Sequence, residues 1–88
     1  MPSIEFHIAM ESVRGLQSLL SEEESLSLYS LYRQAYVGDC NSARGGMVGE
    51  TALSKWDAWN ARRGQTKEEA SEEYIAYVEQ LKAKYGHK

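Results

Sequence analysis

Apolar side chains recur along this chain at intervals of three and four, the period of helices that bury one face. The first set is Phe6, Ala9, Met10, Val13 and Leu16. Ser3 precedes it as a candidate N-cap, and Gly15 falls at its frayed C-terminal end. A second set, Leu26, Tyr29, Tyr32 and Tyr36, follows Ser21 and Glu24, whose spacing reads as a capping box with Glu22 and Glu23 in the favourable first turn. Gly38 stops that helix. From Gly38 to about Glu50 the cluster of Asn41, Ser42, Gly45, Gly46 and Gly49 predicts a loop. A shorter third helix is predicted over Thr51 to Arg62, carrying Trp56 and Trp59 and closing at Gly64. Thr66 and Glu69 make another capping box for the fourth and longest helix, with the stripe Ala70, Tyr74, Val78, Leu81 and Tyr85. It ends at Gly86, with Lys82, Lys84 and Lys88 near its negative pole. No alternation of period two persists, so the pattern predicts an all-α domain of four helices.

Composition narrows the classes of function. With 88 residues the chain has room for one domain, residues 1–88, and one thin core. A chain of this length buries only about 60–65% of its unfolded surface, so the packing must be close. No apolar run approaches the ~20 residues of a membrane span. The opening Met1-Pro2-Ser3-Ile4-Glu5 lacks the charged and apolar regions of a secretory signal, and the single Cys40 has no internal partner. A reducing, cytoplasmic compartment and a monomer are the expectations, with no stable membrane insertion. A net charge of −3 argues against a nucleic-acid partner. No Cys/His spacing suggests a metal, and His7 and His87 stand at opposite ends with no triad to join. Gly45, Gly46 and Gly49 lack the ending of a phosphate loop. Catalysis is therefore not expected, and Cys40 reads as a packing residue.

The run Tyr29-Ser30-Leu31-Tyr32-Arg33 carries the chemistry. Tyr29 and Tyr32 are three apart and Tyr29 and Arg33 four apart, so a helix brings all three to one patch. Tyrosines at such spacing serve either as core aromatics or as ligand contacts. Arg33 complicates the first, because a guanidinium is rarely buried without a partner; it either lies over the rings or awaits an anion. An aromatic face, a phenol and a fixed positive charge are what a phosphorylated adenine nucleotide uses.

Taken together, Tyr29 to Asn41 (YSLYRQAYVGDCN) and Lys55 to Asn60 (KWDAWN) resemble the signature of the acyl-CoA-binding protein family, small helical carriers of fatty-acyl thioesters. The resemblance continues through Glu73-Tyr74-Ile75 and from Val78 to Gly86, with Leu81, Lys84 and Tyr85 in order, and spans the chain from Phe6 onward. It implies a skewed up-down-down-up bundle and a site for acyl-CoA formed by Arg14, Tyr29, Ser30, Leu31, Tyr32, Arg33, Lys55 and Tyr74. In that site Tyr32 stacks on the adenine, Tyr29 and Arg33 meet the ribose 3′-phosphate, and Lys55 completes the clamp. Tyr74 is a second adenine-side contact. Arg14 lies near the coenzyme or is simply an exposed helix charge. Ala9, Met10 and Leu26 are the candidates for the acyl groove, with core packing as the alternative for Ala9 and Met10. Trp56 and Trp59 are structural.

Several positions depart from the family pattern. Arg33 replaces a lysine, keeping the charge and adding a two-pronged grip on phosphate. Glu50-Thr51-Ala52-Leu53-Ser54-Lys55 replaces a lysine-rich approach to the tryptophan, and Gly45 replaces a proline. Leu19-Leu20 replaces a Lys-Pro pair, Ser25 a methionine of the acyl groove, and Met10 a smaller residue. Met10 at the groove's end would make affinity level off early with chain length. The expected function is binding and carriage of medium- to long-chain acyl-CoA, with no cofactor and no catalysis. Its rivals are a helical protein-interaction module, whose tyrosine face docks a partner helix, and a small thioesterase.

Overall fold

The structure, a computed structural model, describes residues 3–86, so the expectations for His87 and Lys88 lie outside the described residues. Four helices follow one another: α1 (Ile4–Leu16), α2 (Glu22–Tyr36), α3 (Glu50–Asn60) and α4 (Lys67–Tyr85), with one 3-10 turn (Arg44–Gly46) before α3. The expected caps form. Ser3 accepts from the Phe6 amide, and Ser21/Glu24 and Thr66/Glu69 close complete capping boxes. Gly86 ends α4 in the left-handed region at φ 65°, where a Cβ would be penalised. The expected third helix differs at both ends. It starts one residue earlier, at Glu50, and stops at Asn60. Beyond Asn60 the amides of Arg62 and Arg63 bond back only three residues, to Trp59 and Asn60, so the chain tightens out of α geometry before Gly64.

Cross-chain contacts give the topology. Lys84 and Tyr85, at the end of α4, reach Glu24 at the start of α2, so those helices are antiparallel. Phe6 stacks on Tyr74 while Ser3 shares a cavity with Lys67 and Ser71, which sets α1 parallel to α4. Lys55 lies over Tyr29, and Trp59 under Arg33, so α3 runs parallel to α2. The order is up, down, down, up. α4 packs on both α1 and α2, and α3 packs on α2, while the backbones of α1 and α2 do not approach each other. A groove is left between them.

Phe6, Ala9, Leu16, Leu28, Leu31, Ala35, Ala70, Tyr74, Val78 and Leu81 form the core. The stripe expected for α2 needs correction. Its core face is Leu28, Leu31 and Ala35, with Glu24 and Gln34 also buried, whereas Leu26, Tyr29 and Tyr32 are half-buried and Tyr36 is exposed. At about 100° per residue, α2 carries two stripes of helical spacing side by side. The leucines turn to α4, and the tyrosines turn to the groove.

Candidate functional site

Two cations meet at one cavity. Arg33 projects from α2 with its guanidinium carbon 4.5 Å from the Trp59 ring, and Lys55 projects from α3 with its ammonium 5.2 Å from the Tyr29 ring. Both line a cavity of about 230 Å³ with Tyr29, Ser42, Met47, Ala52, Trp56 and Trp59. The other acid–base pairs of the molecule lie elsewhere, and among the described residues neither Arg33 nor Lys55 has a carboxylate within ion-pair distance. The Arg33 Nε is buried without a hydrogen-bond acceptor. Two like charges facing one space repel, and the aromatic faces beneath them offset only part of that repulsion. An anion in the cavity would neutralise both cations.

The walls of this cavity are fixed by polar ties. Trp56 Nε1 donates to the Ser42 carbonyl at 2.9 Å, and Arg44 grips Asp57 through two nitrogens, holding the loop against α3. Trp59 Nε1 donates to the Gly38 carbonyl at 2.9 Å, fastening α3 to the end of α2. Behind them, fully buried Gln34 donates to Asp39 and to the Gln65 carbonyl, and Asp39 also accepts from the Gly64 amide. The Gly64 amide first, then the Gln34 amide, hold the Asp39 carboxyl below the usual range. Trp56 and Trp59 are thus structural, and each also faces the cavity.

Tyr29 belongs to a second lining as well. On its other side lies a cavity of about 190 Å³, bounded by Val13, Gln17, Leu20, Ser25, Leu28, Tyr32 and Tyr74. It is the groove between α1 and α2, floored by α4. Tyr74 is 4% exposed, and burial, then the neighbouring Tyr32, push its phenol up to about 12. It stays a neutral hydrogen-bond donor at ordinary pH. The cavity that holds Arg33 and Lys55 and the groove between α1 and α2 share Tyr29 as their common wall.

Tyr29, Arg33 and Lys55 therefore line one cavity and Tyr29, Tyr32 and Tyr74 the other, and the remaining candidates line neither. Ser30 is 1% exposed and faces α3, donating to the Ser27 carbonyl and accepting from Arg62 Nε. Leu31, also 1% exposed, is a core residue. Both lie inside the run Tyr29 to Arg33, but neighbours in a helix point about 100° apart, so a contiguous motif cannot share one face. Leu26 turns toward α3, beside Ala58 and Arg62. Ala9 is core, and Met10 packs against the core without lining either cavity. Arg14 is exposed and pairs with Glu11 at 3.5 Å. From α1 the groove takes Val13 and Gln17 instead, one turn beyond Ala9 and Met10. Gln17 carries no apolar signal, so only its i+4 relation to Val13 pointed to it. Ser25 and Leu20, noted as departures, do line the groove.

Among the described residues no group of three or more His, Cys, Asp or Glu side chains is placed to hold a metal ion, and no helix is long and apolar enough to cross a membrane. The geometry defines an all-helical domain with two cavities on either side of Tyr29, one holding Arg33 and Lys55 and the other lying between α1 and α2. The family model described as acyl CoA binding protein matches residues 3–78. The chain is 44% identical over 85 residues to the acyl-CoA-binding protein homolog of Drosophila melanogaster, covering 97% of this chain and 99% of that protein. It is 46% identical over 77 residues to acyl-CoA-binding domain-containing protein 1 of Oryza sativa subsp. japonica, covering 88% and 85%. The crystal structure of Oryza sativa acyl-CoA-binding protein 2 matches it with a TM-score of 0.87 at 40% identity, over 93% of this chain and 91% of that one. The chain belongs to the acyl-CoA-binding protein family.

Proposed function

We propose that the protein binds medium- to long-chain fatty-acyl-CoA as a monomeric cytoplasmic carrier and does not hydrolyse it. The observation that carries this reading is the pair Arg33 and Lys55, free of carboxylates, in a cavity joined through Tyr29 to an apolar groove. The ribose 3′-phosphate occupies the cationic cavity, meeting Arg33, Lys55 and the Tyr29 hydroxyl. The adenine stacks on Tyr32 with Tyr74 behind it, and the acyl chain lies over Val13, Leu20 and Leu28. Each methylene taken from water contributes roughly 0.8 kcal/mol, so a long chain supplies most of the affinity even after the costs of association. The net charge of −3 opposes an anionic ligand only weakly, since the cations that matter are local and the distant carboxylates are screened.

Titration calorimetry with palmitoyl-CoA, followed by hours of incubation with a thiol reagent, tests both halves of the proposal. One equivalent bound at micromolar protein, with no free coenzyme A released, is the expected result. Steady thiol release would make the protein a thioesterase. Silence in the calorimeter would favour a protein-interaction module.

A further inference from the structure

Tyr36 and His7 line neither cavity, yet their side chains meet next to Tyr32, which does. His7 lies near the start of α1, Tyr36 is the last residue of α2, and their side chains meet at 2.9 Å between His7 Nε2 and the Tyr36 hydroxyl. The other ring nitrogen, Nδ1, is 3.0 Å from the Ser3 carbonyl, which can only accept. Nδ1 therefore carries the proton, and in the neutral ring Nε2 accepts from the Tyr36 hydroxyl. This is the hydrogen bond that joins α1 to α2 among the described residues, two helices whose backbones do not approach. The Tyr36 ring in turn lies 5.0 Å from the Tyr32 ring and 5.7 Å edge-on from Phe6, which stacks on Tyr74 at 4.6 Å. Tyr32 and Tyr74 are two of the three tyrosines that line the groove.

We propose that Tyr36, clasped by its hydrogen bond to His7, is a positioning residue for ligand binding: it fixes the Tyr32 ring in its binding orientation. The proposal rests on the carrier reading above. A half-buried tyrosine on a helix surface is free to change rotamer, and ordering it at the moment of binding costs affinity. The ring of Tyr36 restricts Tyr32 beforehand, and the bond to His7 restricts Tyr36. The effect acts through Tyr32, so it falls on the nucleotide end of the ligand and is the same with or without an acyl chain.

The test compares Tyr36→Ala, Tyr36→Phe, His7→Ala and the double variant Tyr36→Phe/His7→Ala with wild type. Three quantities are measured: the Tyr32 ring-proton resonances, melting temperature, and affinity for adenosine 3′,5′-bisphosphate and palmitoyl-CoA. Tyr36→Ala should shift the Tyr32 resonances and weaken both ligands by the same factor, about two- to tenfold, the range carried by an aromatic pair. Tyr36→Phe and His7→Ala should each weaken both ligands less, and the double variant should be no worse than either single one. Unchanged affinity for both ligands in Tyr36→Ala overturns the proposal, even if melting falls, because the pair is then structural only. Tyr36→Phe and His7→Ala both equal to wild type would overturn the clasp. If wild type binds neither ligand, the carrier reading has failed and the binding role of Tyr36 with it, whereas a wild type that binds beside an indifferent Tyr36→Ala sinks the positioning role alone.

Discussion

Arg33 stands over the indole of Trp59 and leaves its Nε buried without an acceptor, an arrangement that costs stability. Lys55 differs, because it is exposed and only its ammonium reaches the Tyr29 face. The two should therefore contribute unequally. Arg33→Ala is expected to weaken acyl-CoA binding by about 1.5–3 kcal/mol, the scale of hydrogen bonds to charged groups. Lys55→Ala should cost less and should flatten the salt dependence more, since screening acts most on the exposed charge. Acyl-dephospho-CoA, lacking the 3′-phosphate, should bind wild type poorly and Arg33→Ala no worse, as calorimetry at two salt concentrations will show. Undiminished discrimination between the two ligands in Arg33→Ala would make it a packing residue. Helical spacing in the sequence put Tyr29 beside both Tyr32 and Arg33, but those two are neighbours in the helix and turn to opposite sides of Tyr29, each lining a different cavity. Ser30 and Leu31 were misplaced because a motif read as a string ignores that turning.

At the level of elements, capping boxes and stop glycines marked α2 and α4 closely, and the Ser3 cap marked the start of α1, since these signals are local. The core stripe of α2 was harder to read. Its tyrosines have the same spacing as its leucines, and pattern alone does not say which stripe meets α4. Nor could pattern show that Glu24, besides closing the α2 box through the Ser21 amide, receives Lys84 Nζ at 2.6 Å and the Tyr85 hydroxyl from the far end of α4. That junction ties the two most extensively packed helices and has a pH signature. Lys84 first, then Tyr85 and the Ser21 amide, lower the Glu24 carboxyl from 4.5 to about 2. A carboxyl lowered on folding stabilises the native state fully above its ordinary value and loses that contribution as pH falls toward the folded value. Between about pH 4.5 and 2, thermal melts should therefore show a drop in melting temperature that is shallower in Glu24→Gln. The variant should start lower at neutral pH and keep the part of the slope due to Asp39 and Asp57, whose carboxyls are also lowered. Parallel slopes in the two proteins would show that the junction does not couple to folding.

Across the whole molecule, the groove between α1 and α2 sets how long a ligand chain can be covered. Its apolar floor is Val13, Leu20 and Leu28, and its edge carries Gln17 and Ser25. Methylenes over the floor gain the full hydrophobic contribution, whereas those beyond it pass polar groups that must stay hydrated and gain little. Affinity should thus climb from octanoyl- to lauroyl-CoA and flatten toward stearoyl-CoA. Early levelling was expected from Met10, but Met10 packs against the core and lines neither cavity, so the polar edge is the expected cause instead. Met10→Ala should lower the melting temperature and leave the shape of the chain-length profile unchanged. Ser25→Met should extend the apolar floor and carry the rise further, by about 0.8 kcal/mol for each additional methylene covered. Calorimetry of the three proteins with octanoyl-, lauroyl-, palmitoyl- and stearoyl-CoA separates the causes. A plateau that moves in Met10→Ala and stays fixed in Ser25→Met would return the end of the groove to α1, and the polar edge would then have no part in setting chain length.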